Sequence, residues 1–149
     1  MISQVETYQG VALARLCRGI DRDGITIRVH DTNRSSFIVG GSVGIYVKYS
    51  AKRLGLWQFS FRVEHQEEID SLADRCVGVF IVLVCGIDGI ACLELSEYRR
   101  LLDEDAKPGE WIKVSRRPRQ KYTVTGSDLR RGLKIGDNEF PSKILALFG

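Results

Sequence analysis

Three polar residues in the first half of the chain, Glu6, Asp31 and Lys48, are of types that could act together. Lys48 lies inside the aromatic and β-branched run GIYVKYS, Gly44 to Ser50. An ammonium buried alone there is costly, so it either faces water or meets an acid. A second set is cationic and interleaved with aromatics: Lys52 and Arg53 precede Trp57, and Arg116, Arg117, Arg119 and Lys121 precede Tyr122. Cations hold phosphates and aromatic faces stack on unpaired bases, so this pattern suits a groove for a nucleic-acid strand. The plainer readings are a solvent-facing lysine, a first-turn helix acid, a turn-forming aspartate and a charged edge that keeps strands of neighbouring molecules apart. Trp57 and Trp111 fit sheet packing better than stacking on bases.

These residues need elements to position them. Apolar residues from Val5 to Leu16 recur at mostly three- and four-residue steps, and Ser3 with Glu6 forms a possible capping box, which predicts a helix from Ser3 to Arg18. ITIRVHD, SSFIVGG, GIYVKYS and WQFSFRV then read as successive strands of an antiparallel meander. Glu64 to Cys76 changes to helical period, with acids near its start. The continuously apolar run Val77 to Gly86 predicts a central strand covered on both faces, paired through a turn at Asp88 and Gly89 with IACLEL. A helix capped at Ser96, two strands in EWIKVSRR and QKYTVTG, and a short tail helix complete the expectation. The fold class is α/β (α+β), a single domain over residues 1–149 with a mixed, mostly antiparallel sheet flanked by helices.

The order helix-Glu6, strand-Asp31, strand-Lys48 resembles the restriction-endonuclease-like nucleases of the PD-(D/E)XK superfamily, including the archaeal Holliday-junction resolvases. The resemblance covers roughly Ser3 to Gly86, in element order. It implies that Asp31 and Glu6 hold Mg²⁺ and that Lys48 assists the attacking water. Tyr46 stands two residues before the lysine, where the family carries Glu, Asp or Gln, and a phenol is a poor ligand for Mg²⁺. The expectation is therefore a nucleic-acid-binding protein of nuclease-like fold, with DNA or RNA held by Lys48, Lys52, Arg53, Arg116, Arg117, Arg119 and Lys121 and catalysis in doubt. The alternative is a protein–protein interaction module, homodimeric through a strand edge.

Bulk properties set the bounds on both readings. A net charge of +3 is too small to imply a polyanionic partner, but its distribution is uneven. Between Lys113 and Lys134 lie Lys113, Arg116, Arg117, Arg119, Lys121, Arg130, Arg131 and Lys134 against only Asp128. The cysteines Cys17, Cys76, Cys85 and Cys92 form no CxxC pair, and His30 and His65 stand far from them, which points to structural thiols rather than zinc. No GxGxxG, GxxxxGKS/T or GxSxG motif occurs. The longest apolar run is about half of what a membrane span requires, and no secretory leader is recognised, so a cytoplasmic protein without membrane contact is expected.

Overall fold

The computed structural model describes residues 1–30 and 34–148. Its elements are α1 (Gln4–Gly19), β1 (Ile27–Val29), β2 (Ser36–Val39), β3 (Val43–Ser50), β4 (Trp57–Phe61), α2 (Val63–Arg75), β5 (Gly78–Cys85), β6 (Gly89–Glu94), α3 (Leu95–Leu101), β7 (Glu110–Ser115), β8 (Tyr122–Gly126), β9 (Leu129–Ile135) and α4 (Glu139–Leu145). Five strands in the order β1-β2-β3-β5-β6 form one sheet, and four in the order β4-β7-β8-β9 form another. Among the described residues only β3 and β5 pair in parallel.

Beyond its exposed edge strand β1, the first sheet is buried on both faces, and its side chains divide by strand alternation. Ile45, Val47, Phe80, Val82 and Val84 meet Ala12 and Leu16 of α1 and Phe140 and Ile144 of α4. Tyr46, Val79, Ile81, Leu83 and Cys85 face the other way, toward Ile69 and Leu72 of α2 and the inner face of the second sheet, which supplies Trp57, Phe59, Phe61, Ile112, Val114, Tyr122 and Val124. Each fully buried aliphatic side chain contributes roughly 1.5–3 kcal/mol relative to exposure. This two-sided burial is why β5 carries a run of apolar residues with no polar interruption.

The expected single sheet is thus two sheets. The meander stops at β3, because β4 joins β7 instead, pairing Trp57 with Val114 and Phe61 with Glu110. Its residues alternate between buried Trp57, Phe59 and Phe61 and exposed Gln58 and Ser60, a pattern that fits a sheet with one wet face and not the doubly covered first sheet. A ninth strand, β9, pairs with β8 in a stretch where no strand was expected, because exposed Arg130, Arg131 and Lys134 interrupt the partly buried Leu129 and Leu133 and the buried Ile135. Helix α3 begins at Leu95 with Glu94 as its cap, two residues earlier than a Ser96 cap would give, and the Glu97 carboxylate accepts from the Glu94 amide. Asp31 lies outside the described residues. Among the described residues no helix is long and apolar enough to cross a membrane.

Candidate functional site

Two polar regions stand out, and the first is centred on Lys48. Strand alternation points Lys48 to the same side as Tyr46, toward α2 and the second sheet. Its Nζ lies 3.1 Å from His65 Nδ1 and 4.7 Å from the centre of the Phe61 ring. The Arg62 amide also donates to His65 Nδ1, at 3.2 Å. Two donors converging on Nδ1 make it the acceptor, which leaves the ring proton on Nε2. One helical turn on from His65, Glu68 accepts a 2.8 Å hydrogen bond from the Tyr46 hydroxyl.

The electrostatics of this group follow from partial burial among like charges. Burial, assisted by Arg62, draws the Lys48 ammonium down to about 8, with Glu68 opposing. His65 is lowered by burial and then by Lys48. Tyr46 is raised by burial and by the hydrogen bond to Glu68. The result is a half-buried amine that loses its proton more readily than an exposed lysine, with a neutral imidazole and a carboxylate beside it.

Glu6 is not part of this group. Its carboxylate accepts from the Ser3 amide and hydroxyl at 3.2 and 3.0 Å, and its amide donates back to Ser3 Oγ at 3.2 Å, completing the expected capping box. These bonds, with Arg34, hold the carboxyl below its ordinary range. Helix α1 packs on the opposite side of β3, where Tyr8 stacks on Tyr49 with ring centres 4.8 Å apart and planes 7° from parallel. Glu6 and Lys48 therefore approach the sheet from opposite faces, so Glu6 does not fit an Mg²⁺ centre shared with Lys48.

The second region is a cationic groove of about 500 Å³ lined by Gly55, Ser115, Arg116, Arg117, Gln120, Lys121, Thr123 and Lys134. Antiparallel pairing of β4 with β7 places the start of one beside the end of the other, which brings the β3–β4 loop next to the β7–β8 turn. Lys52 and Arg53 are exposed in that loop, and the Lys52 ammonium passes close to Gly55 on the groove wall. The loop is tied down at Lys52, whose carbonyl accepts from Trp57 Nε1 at 2.8 Å and sits directly over Gly86.

Within the turn, the Gln120 amide donates to the Arg117 carbonyl at 3.1 Å. Pro118 takes the second position and Arg119 the third, with φ 65. A left-handed third position is one that glycine normally fills, so Arg119 is held in a backbone conformation that costs on the order of 1 kcal/mol. Arg117, Arg119 and Lys121 are exposed, and among the described residues none of them forms an ion pair.

Arg116 differs from its neighbours. Its guanidinium is bound to Asp88 at 3.1 Å and Asp137 at 2.7 Å and lies 4.8 Å from the Tyr122 ring, contacts that tie β7 to the β5–β6 turn and the segment before α4. The hydrogen bond to Asp137 raises it further above its ordinary value. The aromatic neighbours read from sequence are likewise structural. Trp57 and Tyr122 are buried and meet edge to face, with centroids 6.3 Å apart.

The chain was compared with protein-family models, curated proteins and solved structures. It matches none of them.

One further cluster was not visible in the sequence. The carboxylates of Asp103, Glu110 and Asp128 lie within 4.8 Å of one another. The Lys107 ammonium already occupies their midst, 2.7 Å from Asp103 and 3.5 Å from Glu110, and Ser127 donates to the other Glu110 oxygen. Buried Cys85 and Cys92 face opposite sides of the first sheet, their thiols pushed up by burial, Cys85 to about 12.

Proposed function

We propose that this chain binds nucleic acid in the cationic groove, with Arg117, Arg119, Lys121 and Lys134 on the phosphates and Lys52 and Arg53 at the rim. The observation that carries the reading is the convergence of the β3–β4 loop, the β7–β8 turn and β9 on one polar groove whose exposed cations form no ion pair among the described residues. Close cations repel one another unless an anion or solvent screens them, and a phosphate backbone supplies that anion repeatedly. Holding Arg119 in a glycine-type turn position is a local cost that contact with a ligand would offset.

The test is titration of labelled single-stranded and duplex DNA and RNA at low and moderate salt, with the Arg119→Gly variant alongside. Binding that weakens steeply with salt, and weakens again in a variant of undiminished stability, supports the groove. Absence of binding to any of them at low salt would turn the search to a protein partner.

A second reading is a divergent nuclease of the restriction-endonuclease-like kind. It is favoured by the 2.8 Å contact between Glu68 and Tyr46, which brings a carboxylate from α2 beside the position where an acid was missing. In this reading Glu68, not Glu6, accompanies Lys48. Product length measured with and without Mg²⁺ should then change in the wild type and in neither Lys48→Ala nor Glu68→Gln. Substrate left at full length by the wild type with Mg²⁺ present removes this reading and leaves binding intact.

A further inference from the structure

We propose that the outward face of the second sheet is a platform for single-stranded nucleic acid, with Trp111 stacking on an unpaired base. The inference rests on the nucleic-acid reading above and adds which form of the polymer is bound.

The face is open because of how its strands alternate. Inward residues of β4, β7 and β8 fill the core, whereas Ser60, Trp111, Lys113 and Thr125 are carried on the other side, with Ser60 opposite Trp111 and Lys113 opposite Thr125. Trp111 is half-buried there, in contrast to Trp57, which is 2% exposed. Lys113 Nζ lies 4.4 Å from the Trp111 ring centre and the Arg130 guanidinium 5.6 Å. Both cations lie over the ring, so an unpaired base stacks on Trp111 by displacing one of them, which then meets the neighbouring phosphate.

This face is continuous with the groove. Ser115, Thr123 and Lys134 line the groove and also belong to the outward face, and Lys134 is fixed toward Thr123 by a 2.6 Å hydrogen bond. Gly132 keeps the surface low between them, since a Cβ there would come within 2.5 Å of the Thr123 methyl. From Ser115 to Trp111 the path along β7 is roughly 14 Å. Lys113 stands on this path, and Arg130 and Lys134 stand beside it on β9, across β8, which complements a polyanion laid along the face.

The geometry favours a single strand over a duplex. A base pair inside a duplex keeps its faces stacked on its neighbours, so Trp111 could reach only an unpaired base. The sheet face is also broad, formed by the outward residues of the strands β4, β7, β8 and β9.

The experiment follows tryptophan emission while oligo(dT), oligo(rU) or a mixed-sequence DNA duplex is added at low salt. Trp57 is buried but bonded to the groove loop through Lys52, so the part of the quench that disappears in Trp111→Phe is the part that reports Trp111. Quenching by either single strand but not by duplex is expected, and comparison of the two strands identifies the preferred sugar. Trp111→Leu should weaken single-strand binding roughly tenfold while leaving duplex binding unchanged. Trp111→Phe, a smaller change, should lose the quench and keep part of the affinity, which separates stacking from any fault in folding. Silent emission at saturating single strand, with binding still sensitive to Arg117→Ala, overturns the platform and leaves the groove. No binding to any probe overturns both.

Discussion

Lys48 Nζ and the Arg62 amide donate to the same atom, His65 Nδ1, at 3.1 and 3.2 Å. Protonating His65 would break both bonds and set an imidazolium against an ammonium. The imidazole therefore works as the side-chain cap of α2 only while it is neutral. Its pKa is lowered from 6.5, so the unfolded chain takes up the proton first as pH falls. The stability it contributes is present above pH 6.5 and is lost as pH drops through the lower folded value. Nuclear magnetic resonance titration should find His65 below 6.5 in the wild type and higher in Lys48→Met. A wild-type value at or above 6.5 refutes the arrangement.

Lys48 itself should be a stability cost at neutral pH. Its ammonium is drawn down to about 8 mainly by burial, so the unfolded lysine, at 10.5, binds its proton over a range where the folded one does not. Stability from this group therefore rises as pH climbs from about 8 toward 10.5 and is lost below. Lys48→Met keeps the apolar stem over Phe61 and removes the charge. At pH 7 it should raise the melting temperature by a few degrees, for a gain of about 1 kcal/mol. The gain should shrink above pH 8, and a variant less stable at every pH would show that the hydrogen bond to His65 outweighs the burial cost.

Much of this was legible in the sequence, and the failures share one cause. Periodicity located α1, its capping box, the apolar run of β5 and the hairpin to β6, because these depend on neighbours close in the chain. Lys48 was recognisable as a residue needing a partner, but the partner came from α2. His65 and Glu68 sit three residues apart in an acidic stretch whose charges already suited the helix dipole, so nothing local marked them. The same limit explains β4, which continues the run of strands in sequence yet pairs with β7 some fifty residues on. The cationic segments were visible, but their meeting depends on that long-range pairing. Arg116 illustrates the reverse case, since it belongs to the basic run but is held by acids from two other segments.

Arg116 and Arg117 should consequently separate stability from binding. Arg116→Ala removes a guanidinium that is 16% exposed and leaves Asp88 and Asp137 without their cation. It should cost about 1–2 kcal/mol, a discounted value because Asp137 is itself exposed. Arg117→Ala should leave the melting curve unchanged within about 0.5 kcal/mol. If Arg117 meets a phosphate of a single strand, its loss lowers the slope of log affinity against log salt by about 0.7. Equal effects of the two variants on stability, or an unchanged salt slope for Arg117→Ala, would contradict the division.

The Lys52 loop offers a way to disturb the groove without touching a cation. Gly86 has φ 53, and a Cβ there would stand 2.2 Å from the Lys52 carbonyl oxygen. Gly86→Ala therefore combines a disfavoured backbone conformation with a backbone clash that no side-chain rotation relieves. The loop must move, and the Trp57 Nε1 bond to Lys52 is lost with it. The variant should be destabilised by about 2 kcal/mol or more. At a temperature where it remains folded it should also bind nucleic acid more weakly, because Gly55 and Lys52 leave the groove wall. Trp57→Phe removes the same hydrogen bond while sparing Gly86 but also shrinks a buried core side chain, so a loss of affinity shared by both variants traces to the loop anchor. Full affinity in folded Gly86→Ala protein would show that the β3–β4 loop takes no part in binding and confine the site to the β7–β8 turn and β9.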